Sequence, residues 1–284
     1  MGERDHKQRS RAAFARQAPT YDTSGYGRHA RRLHAEVVAA AQSFPFTALL
    51  DVGCGTGATL EAIVRKHPEA QAWGIDLSVE MIAKARERLR RAGERAGGAI
   101  DLRVADAEHL PLADDTVDLV VCVDSLHHYP DPAAALREMR RVTRPGGGLV
   151  IGEWRLSAPL RQLMNWLLPR LPEGDVRVYT GRELTELAEA AGYGALHCGP
   201  AGVRGQLLVA RLRAGAEGLP ASLASRRDKL GAKAGIIRSS SLWRPSMLLS
   251  RKAAVRTAAI LIIGVVLVVT LAFPAWCVST GLWW

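Results

Sequence analysis

The residues with the most chemical content lie in LLDVGCGTG, Leu49 to Gly57, an apolar run that closes on an acid, Asp51, and then alternates three glycines. Gly53, Gly55 and Gly57 carry no side chain, so a ligand can approach the loop backbone closely. Nineteen residues past Gly57, Asp76 ends a second apolar run, where a carboxylate can accept hydrogen bonds from both ribose hydroxyls. Asp106 follows a third such run, and DSLHHY, Asp124 to Tyr129, follows a fourth. His127, His128 and Tyr129 are the candidates for moving a proton, and histidine titrates near neutral pH. The set describes a nucleoside site with proton-transfer groups beside it. Gly53, Gly55 and Ala58 also fit G-x-G-x-x-G/A, which seats a pyrophosphate on a helix N-terminus, so a nicotinamide dinucleotide stays open on these residues alone. Cys54, Cys122, Cys198 and Cys277 stand far apart, which argues against a zinc site or a disulfide framework.

Such a site needs acids at the C-terminal ends of parallel strands. Short apolar runs alternate with helical periodicity from Ala48 onward, the pattern of a parallel sheet covered on both faces. The predicted strands are Ala48 to Val52, Ala72 to Asp76, Ile100 to Ala105, Val117 to Val123, Leu149 to Glu153 and Gly205 to Leu212. Between them, Leu60, Ile63 and Val64 share a helix face before Pro68, and Ser78 caps a helix that buries Met81, Ile82, Ala85 and Leu89. Asp131-Pro132 starts another helix, which stops at a sharp turn over Pro145 to Gly148. Thr180 and Glu183 have the spacing of a capping box. The fold class is α/β, a doubly wound, mostly parallel sheet.

Val104 to Trp154 resembles the central block of class I S-adenosylmethionine-dependent methyltransferases. The resemblance rests on Asp106-Ala107 after a strand, Leu110-Pro111, the D-x-V-D-L-V-V strand, the histidine-rich exit and the R-P-G-G turn. It is strongest to the small-molecule group that includes the ubiquinone and menaquinone C-methyltransferases, and FARQAPTYD, Phe14 to Asp22, resembles an element preceding the cofactor domain in many of them. It spans about residues 14 to 210 and implies a seven-stranded Rossmann-like sheet with S-adenosylmethionine as cofactor. By this resemblance Asp51 and the loop of Gly53, Cys54, Gly55, Thr56 and Gly57 hold the methionine part. Asp76 with Leu77 holds the ribose, Asp106 and Ala107 the adenine, Val123 and Asp124 border the sulfonium, and Tyr21 closes over the cofactor. Where the quinone enzymes carry G-L-R-N, this chain has Ser125, Leu126, His127 and His128, a departure that touches the acceptor and not the cofactor. Glu153 and Trp154 are expected at the acceptor pocket, and Leu163, Met164, Trp166, Leu167 and Leu168 either cover an apolar substrate or pack on the sheet.

The charge is uneven. The whole chain carries +10, and Arg211 to Arg256 holds eleven Lys or Arg against Glu217 and Asp228, a net of +9. From residue 257 to 284 there is no Asp, Glu, Lys, Arg or His. The nineteen residues from Ala258 to Trp276 span about 28 Å as a helix, the thickness of a bilayer core. Arg251, Lys252 and Arg256 precede this run and Trp276, Trp283 and Trp284 mark its far end, which puts the body of the chain in the cytoplasm. The first twenty residues are charged throughout and do not read as a secretory signal. The expected organisation is therefore an N-terminal helical arm (1–47), a cofactor domain (48–213), a basic juxtamembrane linker (214–256) and a transmembrane segment (257–284).

Together these readings describe a membrane-anchored methyltransferase acting on a small or lipid-like acceptor, with the linker on anionic head groups and no metal. A non-catalytic nucleoside-binding scaffold is the competing class. A nicotinamide oxidoreductase and an RNA methyltransferase clamping RNA with the linker rank below it, and nucleic acid is not the expected partner.

Overall fold

Runs such as Ala48 to Val52 and Val117 to Val123 show no polar alternation because both their faces are covered, which a parallel sheet between helical layers requires. The computed structural model describes residues 3–93, 99–171, 174–202 and 204–213. The expected linker (214–256) and apolar span (257–284) lie outside the described residues, among which no helix is long and apolar enough to cross a membrane. Seven strands form one sheet: β1 (Ala48–Val52), β2 (Gln71–Asp76), β3 (Ile100–Val104), β4 (Val117–Val123), β5 (Thr143–Trp154), β6 (Tyr193–Ala201) and β7 (Gly205–Leu212). Their spatial order is β3-β2-β1-β4-β5-β7-β6. β7 runs antiparallel to both β5 and β6, so it is the one reversed strand of the seven. The order reverses between β1 and β4, where open α/β sheets form a crevice beyond the strand ends.

The helices are α1 (Glu3–Gln17), α2 (Gly25–Ala41), α3 (Ala58–Val64), α4 (Val79–Gly93), α5 (Pro132–Val142), α6 (Leu160–Leu167) and α7 (Gly181–Ala190). The pleat sends Leu50, Val52 and Val120 to one core with Leu136 and Met139 of α5 and Leu184 of α7. Leu49 and Val121 face the other, with Val37 of α2, Leu60 and Ile63 of α3 and Ile82 of α4. The predicted caps form: Ser78 Oγ accepts from Met81 N at 3.2 Å, Asp131 Oδ1 accepts from Ala134 N at 2.9 Å, and Thr180 and Glu183 complete a capping box.

Two expectations are corrected. The turn over Pro145 to Gly148 lies inside β5, where pairing with β4 jumps from Val117–Thr143 to Leu119–Gly148 and Gly146 takes φ 78°. The glycines thus make a wide bulge, and Gly148 is bare because Phe44 covers it: a Cβ there would lie 2.5 Å from Phe44 Cδ1. β6 was not expected. It is an edge strand, half exposed and interrupted by Gly194, Gly199 and Pro200, so it lacks the apolar run that marks the buried strands.

α2 is a layer of the fold, with Leu33 and Val37 lying on the bare backbone of Gly152 in β5. A Cβ at Gly152 would sit 2.7 Å from Val37 Cγ2 and 3.0 Å from Leu33 Cγ. Gly152→Ala is expected to push α2 off the sheet and destabilise the fold by about 1–3 kcal/mol, read as a lowered urea midpoint.

Candidate functional site

The C-terminal ends of β1, β2 and β4 open into a cleft whose free volume, mouth included, is about 900 Å³. Asp51, Gly53, Cys54, Gly55, Thr56, Asp76, Leu77, Asp106, Ala107, Val123, Asp124 and Tyr21 line it, as does His128. Two of the expected site residues face elsewhere: Gly57 opens α3 at φ 78° and packs on Ala85 and Leu89 of α4, and His127 lies behind the wall.

The glycine loop is built by close approach. Gly53 N and Cys54 N both donate to Ile75 O, at 2.7 and 2.9 Å, and Gly55 N donates to Asp76 Oδ2 at 2.9 Å. Gly53 has φ 73°, and a Cβ on it would lie 1.9 Å from Ser125 Oγ. Gly55 differs. It takes φ 52°, and a Cβ there meets nothing within 4 Å, so the backbone conformation and not packing calls for glycine, and its bare side lies open in the cleft.

The acids carry the electrostatics. Asp51 is 1% exposed, its Oδ2 has no hydrogen-bond partner, and burial with the nearby Asp76 charge pushes its pKa up to about 8. Burial also raises Asp76, against backbone donors at Ser78, Gly55 and Leu77. A buried, unpartnered carboxyl beside a second acid is the environment that an ammonium group relieves. Bare Gly55 and Asp76 at the end of β2 likewise fit a nucleoside, so the residues suit the cofactor the sequence implies. At the other end of the cleft Asp106 is already engaged: Lys7 Nζ of α1 donates to Asp106 Oδ2 at 2.7 Å and to Glu108 Oε2 at 2.5 Å.

The exit of β4 is held from β5. Glu153, 1% exposed, accepts from Ser125 N at 3.1 Å and Leu126 N at 2.7 Å through Oε1, and from His127 Nδ1 at 2.7 Å through Oε2. Glu153 is therefore a brace and not the expected acceptor-pocket group. Burial opposes a charge on His127, but the Glu153 charge and hydrogen bond outweigh it and, with Asp124 and Asp175, raise its pKa to about 9. His128 goes the other way, lowered by burial and then by charged His127 against the pull of Asp175, whose Oδ1 lies 2.8 Å from His128 Nδ1. The histidines thus divide: His127 is a fixed cation behind the wall, and His128 is an uncharged imidazole on it.

The N-terminal arm roofs the cleft. Phe14 meets the edge of the His128 ring at 4.8 Å and Tyr21 at 6.3 Å, and Thr56 Oγ1 donates to Asp22 Oδ1 at 2.8 Å. Arg88 pairs with the same Asp22. Lys7, Ser10, His34, Glu108 and Ser125 also line the cleft and were missed. Lys7 is 99 residues from Asp106, and no local pattern announces that pairing.

Residues 50–151 match the family described as a methyltransferase domain. That match supports S-adenosylmethionine-dependent methyl transfer as the chemistry of this segment. It is similar to the methyltransferase GfsG of Streptomyces halstedii, 36% identical over 139 residues that make 49% of this chain and 48% of the relative. It also resembles the malonyl-[acyl-carrier protein] O-methyltransferase of Dechloromonas aromatica (strain RCB), 35% identical over 150 residues, 53% of this chain and 52% of that one. The chain thus spans about half the length of these curated relatives. Among solved structures the [4+2]-cyclase SpnF shares the fold, with a TM-score of 0.54 at 24% identity over 65% of this chain and 81% of that one. A cyclase on this fold means that the sheet alone does not fix the reaction.

The two glycines separate packing from binding. Gly53→Ala is expected to disrupt the loop and lower stability, whereas Gly55→Ala keeps the fold apart from about 1–2 kcal/mol of positive-φ strain and loses cofactor affinity; thermal melts beside calorimetric titration distinguish them. Removing the brace by Glu153→Ala leaves Ser125 N, Leu126 N and His127 Nδ1 buried without their acceptor and is expected to cost about 3–5 kcal/mol in denaturant unfolding. Because His127 titrates higher folded than unfolded, the brace contributes fully below about pH 6.5, and its contribution falls as pH rises through about 9.

Proposed function

We propose that this chain transfers the methyl group of S-adenosylmethionine to a small, lipophilic acceptor at the cytoplasmic face of a membrane, with residues 257–284 as its anchor and 214–256 as a basic linker on the lipid head groups. The observation that carries the transfer is one cleft lined both by Asp51, Asp76 and bare Gly55 and by the uncharged, acid-backed His128. The cofactor supplies an electrophilic methyl on a sulfonium. Asp51 holds the ammonium of its amino-acid end, Asp76 its ribose, and Asp106 with Ala107 its adenine, where the arm's Lys7 already stands. Displacement at the methyl is in line, so the protein's task is to align the acceptor and exclude water, which Phe14 and Tyr21 do from above. For an acceptor that loses a proton, His128 takes it and Asp175 steadies the resulting imidazolium. The charge-free run of 257–284, with its basic approach and terminal tryptophans, supports the anchor.

Asp51 is mostly protonated at pH 7 in the free protein, and a cationic ligand favours its ionised form. Cofactor binding at pH 7 is thus expected to release a proton, read as a binding enthalpy that changes with buffer ionisation heat and loses that dependence in Asp51→Asn. His128→Asn is expected to lower kcat by about 10²–10⁴-fold on a proton-bearing acceptor while cofactor affinity holds. Since His128 titrates below its ordinary 6.5, the acid limb of kcat is expected below pH 6.5. An unchanged kcat in His128→Asn would remove it from the chemistry.

A further inference from the structure

A helix of a globular protein normally turns its apolar stripe to the core and its polar side to water. α6 is mounted the other way. Its polar side is pinned inward: Asn165 Nδ2 donates to Val178 O at 3.1 Å and Val178 N donates to Asn165 Oδ1 at 2.7 Å. Arg161, only 19% exposed, lies 3.9 Å from Glu183 on the same side. Leu160, Leu163 and Trp166, spaced three apart and so on one face, are 49%, 41% and 61% exposed. Leu163 and Trp166 therefore do not pack on the sheet, while Met164 and Leu167 are half-buried and Leu168, just past the helix, is buried.

Charge and chain context say what covers this face. The Arg170 guanidinium stacks 4.6 Å from the centre of the Trp166 ring, and Arg155 is exposed just before the helix. Leucines and an indole flanked by arginines are the composition of a helix lying in a lipid interface, where arginines meet anionic head groups. The 71 residues 214–284, outside the described part, add a linker of net charge +7 (214–256) and the charge-free run, which point to the same solvent. The turn after α6 is tied to α1, whose Lys7, Ser10 and Phe14 line the cleft. α6 lies in the chain between Glu153 and Asp175, and Arg9 of α1 donates to Pro169 O at 3.3 Å and Leu171 O at 3.2 Å just after it.

We infer that α6 is a membrane-contact helix that lays Leu160, Leu163 and Trp166 into the head-group boundary of an anionic bilayer. The choice of lipid over a protein partner rests on the membrane reading proposed above. The contact then holds the arm helix α1, tied to the turn after α6, close to the bilayer surface.

The test uses the full chain in vesicles of phosphatidylcholine and phosphatidylglycerol. Trp166→Cys, combined with Cys198→Ser and Cys277→Ser, carries an environment-sensitive nitrobenzoxadiazole label; Cys54 and Cys122 are buried. The label is expected to shift to the blue, to lose quenching by aqueous iodide and to be quenched by lipids bearing a nitroxide near the head group. A label at Ala113→Cys, in the exposed loop entering β4 at the opposite end of the sheet, is expected to stay open to iodide. Adding Leu163→Glu, an exposed change that spares the core, is expected to restore iodide access at position 166. Alkaline carbonate extraction reads the anchor separately. A carbonate-resistant chain whose label at 166 remains open to iodide overturns the role of α6 and leaves the anchor standing. A chain that carbonate extracts, but whose label still enters added vesicles, keeps α6 and overturns the anchor. A label shielded from iodide yet untouched by lipid nitroxides means that protein covers the face, either a second copy or the chain's own apolar run, and overturns the inference.

Discussion

Glu153 is the point on which the site hangs. Its carboxylate leaves the end of β5 and takes the two backbone N–H groups and the imidazole that β4 presents as it ends. Each consequence is local and mechanical. With Ser125 fixed, its hydroxyl stands against the bare α-carbon of Gly53 and donates to or accepts from Tyr129 at 2.8 Å. With His127 fixed, its carbonyl accepts from Val176 N at 2.8 Å, which brings Asp175 beside His128. A carboxylate with no water around it persists only if its lone pairs are filled, and Glu153 is filled by three donors, one of them charged. The wall of the cleft is therefore set from behind, by a residue that does not line it.

Asp51 is the opposite case at the next strand end. It is as buried as Glu153, yet one oxygen has no partner, and Asp76 adds a second acid to the same cleft. Such an arrangement costs the free protein stability, since neither a proton on the acid nor an unmatched charge is comfortable there. That cost is tolerable at the mouth of a sheet whose interior is closed by Leu49, Leu50 and Val52, all of them fully buried. A cation bound beside it would relieve that cost, so the same burial that weakens the domain would favour a cationic ligand over a neutral one.

Much of this was legible because it is local. A strand followed by an acid and alternate glycines, Ser78 three residues before Met81, Asp131 before Pro132, and Thr180 paired with Glu183 all fix backbone geometry within one turn, and all form as read. What escaped is non-local or lies at an edge. β6 is covered on too little of its surface to need an apolar run, and the glycines after Pro145 looked like a chain reversal because sequence does not show Phe44 resting on Gly148. Lys7 reaches Asp106 only through the packing of α1 over the cleft, and the different fates of His127 and His128 depend on Glu153 and Asp175, two residues from separate segments. Adjacent identical side chains carry no sign of which will face inward.

α6 shows the same limit from the other side. Its residues have the periodicity of an amphipathic helix, and periodicity alone assigns the apolar stripe to the interior. One amide reverses that assignment: Asn165 satisfies both the N–H and the C=O of Val178, a segment with no strand partner of its own, and a helix so tied must present its other face outward. The polar tie is worth making there because Val178 and Tyr179 are buried at the approach to α7 and their backbone groups need partners away from water. Gln206 meets the same demand at Tyr179 O, at 2.8 Å. The outward leucines and indole of α6 thus follow from the hydrogen-bond needs of the segment behind it, and a lipid surface is the solvent that suits a face so exposed.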